Sequence, residues 1–437
     1  MNTPILDRRH FLQLAAGAGA LTLLPGCSKN PVTGKRELML MSTDQEVAID
    51  RENAPHQISA DYGLVQDTAL ADYVARVGSA IVPHTHRPSM PYSFNCLGAT
   101  YINAYAFPGG TIGITRGILL TMESEAELAA LIGHELGHVT ARHTSQRMSR
   151  GMLTSLAVAG ATVAIQDERY SGVAAGLGAI GAGVLLASYS RDQEREADSL
   201  GLEYSVKGQY SPQGFVDLMS MLNDLSGSRE TNRVEMLFST HPMSKERYET
   251  ALRDVERGRY DQTKPIHRER YMDNTASLRR MGDAIEATQH GDREMAAGNT
   301  ASAQEHYRKA LHMAPDDYPT HLMMARCLLA QEKPAEAAAY ARTARDIYPG
   351  EAQAHHVLGF ASLQKNQHTV ALESFTTYEK LLPGNPNTVF FIGYSHEGLG
   401  NRQNAAERYQ AFLQQVQEGP YADHARQRLA NWHRGPH

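Results

Sequence analysis

The C-terminal third of the chain repeats a pattern every 34 residues. Each period holds a small residue and then a small or aromatic residue, another small residue precedes them, and in the first three periods a proline follows. These four sets are Ala303, Ala337, Ala371 and Ala405; Tyr307, Ala341, Phe375 and Tyr409; Pro315, Pro349 and Pro383; and Gly291, Ala325, Gly359 and Gly393. Small residues let two helices pack closely, and a proline ends a helix. The pattern therefore predicts four stacked helix pairs, at 284–317, 318–351, 352–385 and 386–419.

A 34-residue period with this content resembles tetratricopeptide repeats. The resemblance implies an all-helical domain, here expected over residues 284–432, with a concave surface that binds a peptide or a protein. Residues 421–432 would form a capping helix at the end of the stack. A generic helical bundle is the alternative interpretation.

The composition excludes several other classes of protein. The chain has 437 residues, of which 42% are hydrophobic and 21% charged, which is typical of two or three globular domains. Its formal net charge of −6 argues against a nucleic-acid binder. Three cysteines are too few for a disulfide scaffold, and Cys96 and Cys327 are expected to be free thiols.

The first residues of the chain are typical of an export signal. Arg8 and Arg9 precede a short apolar run at 14–24, which is the pattern of a signal peptide. The paired arginines followed by Phe-Leu resemble a twin-arginine signal, and the sequence ending at Cys27 resembles a lipobox. We expect residues 1–26 to be removed and Cys27 to be lipidated, which would anchor the chain to a membrane. Removal without lipidation is the alternative.

Two further expectations follow from this N-terminus. By resemblance to Gram-negative lipoproteins, Ser28 after the cysteine favours a periplasmic protein anchored in the outer membrane rather than the inner membrane. Residues 27–42 are polar and contain Pro31 and Gly34, so they are predicted to be a tether.

The region between the tether and the repeats, residues 43–265, is predicted to be a mixed domain. A hairpin is expected around Gly109 and Gly110, and a helix from Ser124 to about Ser149. Residues 152–188 are rich in Ala, Gly and Val and are predicted to be a buried or flap-like helix pair; membrane insertion is the alternative. One further helix face consists of Leu70, Tyr73, Val74, Val77 and Ile81. The predicted fold class is α+β, a mainly helical domain with a small β-sheet followed by the all-α repeats.

The residues that carry chemistry lie in this domain. His134 and His138 are four residues apart, so both imidazoles lie on one helix face and can bind one zinc ion. Glu135 lies beside the open coordination position, where it can act as general base and then as general acid. A catalytic zinc needs a third protein ligand, and both Glu194 and Glu196 are chemically able to supply it.

The His-Glu-x-x-His helix followed by Glu-x-x-Ala-Asp resembles the gluzincin metalloproteases that include HtpX and the CAAX prenyl endopeptidases. The resemblance implies one Zn²⁺ per chain and makes Glu194 the third ligand, since Glu196 would point elsewhere on its helix. Asp198 shares the face of Glu194 and would hold a ligand imidazole in one tautomer. A surface carboxylate is the alternative interpretation of Asp198.

Residues 103–112 resemble the strand that precedes the metal helix in this family. The resemblance implies that this strand lies along the cleft and pairs with the backbone of a substrate. The predicted substrate-binding residues are Gly109, Gly110, Thr111, Ile112, Gly113 and Ile114.

A second segment, Ser239-Thr240-His241-Pro242, resembles a loop of the BepA-like (β-barrel assembly-enhancing) proteases. The resemblance implies that His241 can occupy the fourth position on the zinc and hold the enzyme latent. Alternatively, His241 donates a hydrogen bond to the oxyanion, and Arg247 stabilises charge at the same place. His143 is rotated away from His138 and is predicted to be structural.

The resemblance to BepA-like proteases implies a zinc endopeptidase of the bacterial envelope that degrades misassembled outer-membrane or periplasmic proteins. The repeats would dock substrates or the outer-membrane β-barrel assembly machinery. The alternative is a chaperone or adaptor whose zinc site is latent.

Overall fold

The computed structural model describes residues 27–150, 188–227, 235–257 and 260–433. The predicted signal peptide at 1–26 and nearly all of the predicted helix pair at 152–188 lie outside this part of the chain. In the described residues, no helix is both long and apolar enough to cross a membrane.

The N-terminal two thirds of the chain form a helical domain around a small sheet. Its strands are β1 Cys27–Lys29, β2 Arg36–Leu38, β3 Ser93–Leu97, β4 Ala104–Ala106 and β5 Thr111–Thr115. Its helices are α1 Thr43–Ala60, α2 Thr68–Ile81, α3 Arg116–Thr121, α4 Glu125–Thr140, α5 Arg191–Lys207, α6 Gln213–Gly227, α7 Glu235–Thr240, α8 Lys245–Glu256, α9 Arg268–Asn274 and α10 Ala276–Arg280. The five apolar residues predicted on one face of α2 are all buried in the core of this domain.

The repeats follow as consecutive antiparallel helix pairs and a final helix. The pairs are α11 Gly282–Ala296 with α12 Thr300–Met313, α13 Tyr318–Ala330 with α14 Pro334–Ile347, α15 Ala352–Gln364 with α16 His368–Leu381, and α17 Pro386–Gly398 with α18 Arg402–Leu413. The final helix is α19 Pro420–His433. A Cβ atom at Gly359 would lie 2.7 Å from a ring atom of Phe375, which explains why a small residue recurs at that position.

The sheet corrects the predicted substrate strand. The hairpin of β4 and β5 forms as expected, but the strand order is β3-β5-β4, with β3 parallel and β4 antiparallel to β5. Thr111, Ile112, Gly113 and Ile114 therefore lie in a central strand with neighbours on both sides. Their backbone groups are already used in the sheet, so a substrate cannot add beside them. Gly109 and Gly110 lie in the preceding turn, against Asp50 and Tyr92.

The predicted tether is also wrong over much of its length. β1 and β2 pair as an antiparallel hairpin, with Cys27 opposite Leu38. The side-chain amide of Gln146 donates to Glu37 (2.6 Å), and the Leu40 N–H donates to Ser149 Oγ (3.0 Å). These bonds hold the segment against the domain.

The helix that begins at Ser124 ends earlier than predicted. Ser124 Oγ caps it by accepting a hydrogen bond from the Glu127 N–H (3.2 Å). Arg142 then has a φ of +60°, so the helix breaks after Thr140 and a new helical segment runs over 143–150. The Glu46 carboxylate holds this break by accepting a hydrogen bond from Arg142 Nε (2.7 Å).

The two parts of the chain are joined by buried polar contacts. Arg116 of α3 donates two hydrogen bonds to the Asp317 carboxylate at the start of α13 (2.5 and 2.9 Å), and both side chains are buried. Cys96 and Cys327 are buried free thiols, as predicted.

Candidate metal centre

Four buried donors from three parts of the chain converge at one point. His134 and His138 come from α4, Glu194 from α5, and His241 from the residue after α7, and their donor atoms all lie within 4.8 Å of one another. His134 Nε2 lies 3.1 Å from His138 Nε2, and His138 Nε2 lies 3.4 Å from Glu194 Oε1. His241 Nδ1 lies 3.1 Å from Glu194 Oε1 and 3.4 Å from His134 Nε2.

This geometry fits one zinc ion. Donor atoms around a tetrahedral zinc, with bonds of about 2.0–2.1 Å, lie about 3.3 Å apart. The separations within the group, 3.1–3.7 Å, are close to the edges of such a tetrahedron. Two or three imidazoles with one carboxylate are also a donor set that zinc prefers. The donor set and its geometry thus confirm the prediction of one zinc per chain.

Close packing of α4 on α5 brings Glu194 to the two histidines. A Cβ atom at Gly137 would lie 3.0 Å from Ala197 Cα, and one at Gly201 would lie 2.7 Å from the backbone nitrogen of His134. The alanine of the Glu-x-x-Ala-Asp motif, Ala197, is therefore small because the two helices approach closely there. A larger side chain at any of these positions would push the carboxylate ligand away from the imidazoles.

Asp198 and Arg247 form a charged support behind the ligands. Asp198 Oδ1 lies 3.0 Å from His134 Nδ1, which is the position expected for a group that orients this imidazole. Arg247 donates to both Asp198 oxygens (2.7 Å each) and lies 2.7 Å from Glu194 Oε2. Burial alone would raise the pKa of Asp198, but the Arg247 guanidinium outweighs it and lowers that pKa. Arg247 thus contacts two carboxylates of the site, and its role in stabilising the oxyanion stays a prediction.

The ligands are held in the protonation states that bind metal. Burial lowers the pKa of His138 well below its usual value, so its imidazole is neutral. The Glu194 pKa lies well below its ordinary value because the His241 and His138 rings and Arg247 outweigh the effect of burial. Both shifts favour metal binding, because protons compete less for the donor atoms.

Two contacts to His138 were missed by the sequence interpretation. His143 Nδ1 lies 2.9 Å from His138 Nδ1, and His143 Nε2 lies 3.1 Å from Glu196. Glu196 therefore points away from the metal, as predicted, but it supports a ligand through His143. The ring of Tyr189 stacks on His138 with 3.8 Å between centroids. No motif marks Tyr189; only its place just before the Ser190 helix cap could have drawn attention to it.

Glu135 faces the same centre without being a donor. It is 1% exposed, its Oε1 lies 3.8 Å from His241 Nε2, and its Oε2 has no hydrogen-bond partner among the described residues. Burial raises its pKa, which makes the carboxylate a better proton acceptor. A cavity of about 20 Å³ adjoins Glu135, His134 and His241. That volume is enough for one water molecule but not for a peptide.

Backbone contacts hold His241 at the fourth donor position. Its N–H donates to Leu237 O (2.7 Å), and the N–H of Tyr189 donates to Thr240 O (3.0 Å). Burial would lower the pKa of His241, but the Glu194 and Glu135 carboxylates outweigh it and raise that pKa.

We expect Asp198→Asn to weaken zinc binding by about 10- to 100-fold, because the His134 imidazole loses its charged partner. A zinc-chelator competition titration would measure the change. Asp192→Asn is the matched control, since Asp192 lies on the same helix with its side chain 92% exposed. Equal zinc affinity of the two variants would contradict the supporting role of Asp198.

The described fold and site agree with known protein families. Residues 68–255 match the model of Peptidase family M48, and residues 294–359 match a tetratricopeptide repeat model. Residues 68–255 are thus similar to M48 metallopeptidases and residues 294–359 to tetratricopeptide repeats, and the predicted fold class is confirmed.

Several curated proteins are similar to this arrangement. The beta-barrel assembly-enhancing protease of Yersinia pestis is 28% identical over 257 residues, which cover 58% of this chain and 51% of that protein. Metalloprotease YcaL of Escherichia coli is 34% identical, over 36% of this chain and 59% of that protein. The mitochondrial metalloendopeptidase OMA1 of Schizosaccharomyces pombe is 26% identical, over 50% of this chain and 63% of that protein. The chain thus spans about half of the first of these relatives. The predicted resemblance to BepA-like proteases is confirmed.

Proposed function

We propose that this chain is a zinc-dependent endopeptidase that hydrolyses unfolded or misassembled proteins of the bacterial cell envelope. The observation that carries the proposal is the buried group of His134, His138, Glu194 and His241, with Glu135 beside it. The similarity to a beta-barrel assembly-enhancing protease supports the envelope and its outer-membrane proteins as the source of substrates.

Each residue of the site has a separate role in hydrolysis. His134, His138 and Glu194 would hold zinc, which polarises the substrate carbonyl and lowers the pKa of water. Glu135 takes the proton from the attacking water and passes it to the leaving amine. Asp198 and Arg247 keep His134 and Glu194 in place while charge develops.

We assign substrate binding to β4 in place of β5. The Phe107 N–H donates to Thr111 O and the Thr115 N–H to Asn103 O, so residues 103, 105 and 107 face β5. Ala104 and Ala106 alternate with them, and their backbone groups face the outer edge of β4. Ala104 and Ala106 are buried at rest, so an extended substrate would pair there through its main chain once this edge is uncovered. Main-chain pairing suits unfolded proteins of varied sequence.

This proposal is tested by the folding state of the substrate. Native disulfide-bonded lysozyme and its reduced, carboxymethylated form would be incubated with the purified chain. We expect cleavage of the unfolded form only. Equal cleavage of both forms would contradict main-chain recognition at a strand edge.

We propose that His241 caps the zinc at rest. His241→Ala opens the fourth position to water and substrate, so casein cleavage should rise by about 10-fold or more. His84→Ala is the control, because His84 is exposed. If His241 instead donated to the oxyanion, the variant would lose about 100-fold or more in activity, and the capping role would be rejected.

We also propose that lipidated Cys27 anchors the chain, with the outer membrane favoured over the inner, and that the repeats dock substrates or the β-barrel assembly machinery. A function as chaperone or adaptor is the second candidate, supported by the nearly closed site beside His241. In a complementation assay, Glu135→Gln would keep an adaptor active and inactivate a protease.

A further inference from the structure

The turn that ends α1 carries a tyrosine where a helix usually has glycine. The Gly63 N–H donates to Ile58 O (2.8 Å), and the Tyr62 N–H donates to Ser59 O (3.1 Å), which together define a Schellman motif. Tyr62 has a φ of +67°, in the left-handed region that favours glycine. A tyrosine is therefore disfavoured at this position unless its side chain makes contacts that compensate.

Those contacts are made with the second repeat. The Tyr62 hydroxyl lies 2.8 Å from Met323 Sδ, and the guanidinium of Arg326 lies 5.7 Å from the centre of its ring. Both partners are on α13, the first helix of its pair. Stacked helix pairs build extended surfaces that bind other chains. Tyr62 therefore occupies a place on the second repeat that the side chain of a bound partner could otherwise take.

Ser59 and Gly63 contact Glu351, the last residue of the second repeat and the N-cap of α15. A Cβ atom at Gly63 would lie 2.7 Å from Glu351 Cγ, so only glycine permits this approach. The Glu351 carboxylate accepts hydrogen bonds from Ser59 Oγ and from the Tyr318 hydroxyl. Ser59 Oγ also accepts a hydrogen bond from Gln353 of α15 (3.4 Å), so the end of α1 and its turn contact the second repeat and the start of the third.

Asp61 connects this turn to the sheet. Its carboxylate is 2% exposed and accepts hydrogen bonds from the hydroxyls of Tyr101 and Tyr105, the latter at 2.7 Å. Tyr105 is the middle residue of β4. A change in the position of Tyr62 therefore acts, through the neighbouring Asp61, on the strand that lies against the metal helix.

We propose that the turn Asp61–Gly63 is a built-in ligand of the repeat surface formed by Met323, Arg326 and Glu351, and that its docking there positions β4. The partner of this repeat surface is therefore a segment of the same chain, the turn that ends α1 and carries Tyr62. A cavity of about 330 Å³ lies beside Tyr62, between Leu64 and Pro319, and gives a competing peptide room to enter. Such a peptide would displace the turn and loosen β4. This inference concerns contacts between domains and does not depend on proteolytic activity.

Hydrogen exchange of the full chain tests the proposal. Tyr62→Gly removes the side chain and keeps a residue that suits the left-handed turn, while Tyr62→Phe keeps the ring. We expect the amides of residues 101–107 to exchange at least 10-fold faster in Tyr62→Gly, with α4 unchanged and Tyr62→Phe close to wild type. Unchanged exchange of β4 in Tyr62→Gly would overturn the proposal.

A second variant tests the same contact from the repeats. Arg326→Gln removes the cation above Tyr62. Arg308→Gln is its control, because Arg308 is exposed and its ion pair is with Glu305 on its own helix. Faster exchange in β4 for Arg326→Gln alone would support the proposal even if Tyr62→Gly disturbed the whole domain. If the β4 amides of Arg326→Gln exchange as slowly as those of wild type, the contact with the repeats does not position the strand.

Discussion

Replacing Glu135 with glutamine is expected to lower peptide hydrolysis by about 100- to 10,000-fold while zinc binding is retained. Glu135 is not among the donors that surround the metal position, so the ligands keep their geometry. Its carboxylate is buried beside a cavity that fits one water molecule, and burial raises its pKa. An amide of the same size cannot accept the proton of the attacking water.

The measurement is casein cleavage with zinc content determined on the same preparation. Glu127→Gln is a control on the same helix, because Glu127 lies in the first turn next to Ser124. A Glu135→Gln protein with normal zinc content and wild-type activity would exclude Glu135 as the general base. Loss of zinc together with activity would show instead that Glu135 supports the metal.

Replacing Glu46 with glutamine is expected to lower the free energy of unfolding more than any of the other substitutions named above. Glu46 is fully buried and accepts hydrogen bonds from Arg87 Nη2 (2.7 Å), Arg142 Nε (2.7 Å) and Ser145 Oγ. A neutral amide would remove the carboxylate charge that two buried guanidinium groups share, which costs about 3–5 kcal/mol of unfolding free energy. Arg87 also donates to Val139 O, so the damage reaches the C-terminal end of the metal helix.

Thermal unfolding followed by circular dichroism would measure this effect as a midpoint lowered by roughly 10 °C. Glu52→Gln on the same helix is the control, since Glu52 is exposed. A midpoint within a degree of wild type would mean that the arginines find other partners.

The sequence predicted the parts of this molecule that depend on short-range pattern. The helix faces, the hairpin, the cap at Ser124 and the 34-residue stacking all follow from local spacing. The metal donors His134 and His138 follow from helix geometry. The resemblance to a family was needed to choose Glu194 over Glu196, because either carboxylate satisfies the chemistry.

The features that the sequence did not predict depend on contacts between distant segments. Nothing local shows that β3 would pair with β5, which makes β5 the central strand and β4 an edge strand. The break after α4 depends on Glu46, which lies 96 residues from Arg142. The stacking of Tyr189 on His138 likewise depends on the tertiary fold.

The most direct test of the account is the zinc dependence of casein cleavage by the purified chain. We expect one zinc per chain, cleavage that stops when 1,10-phenanthroline removes the metal, and recovery when zinc is added back. His241→Ala would be assayed beside the wild type to detect a capped site. Cleavage that continues in zinc-free protein would contradict the account, as would the absence of cleavage by both proteins when each holds one zinc.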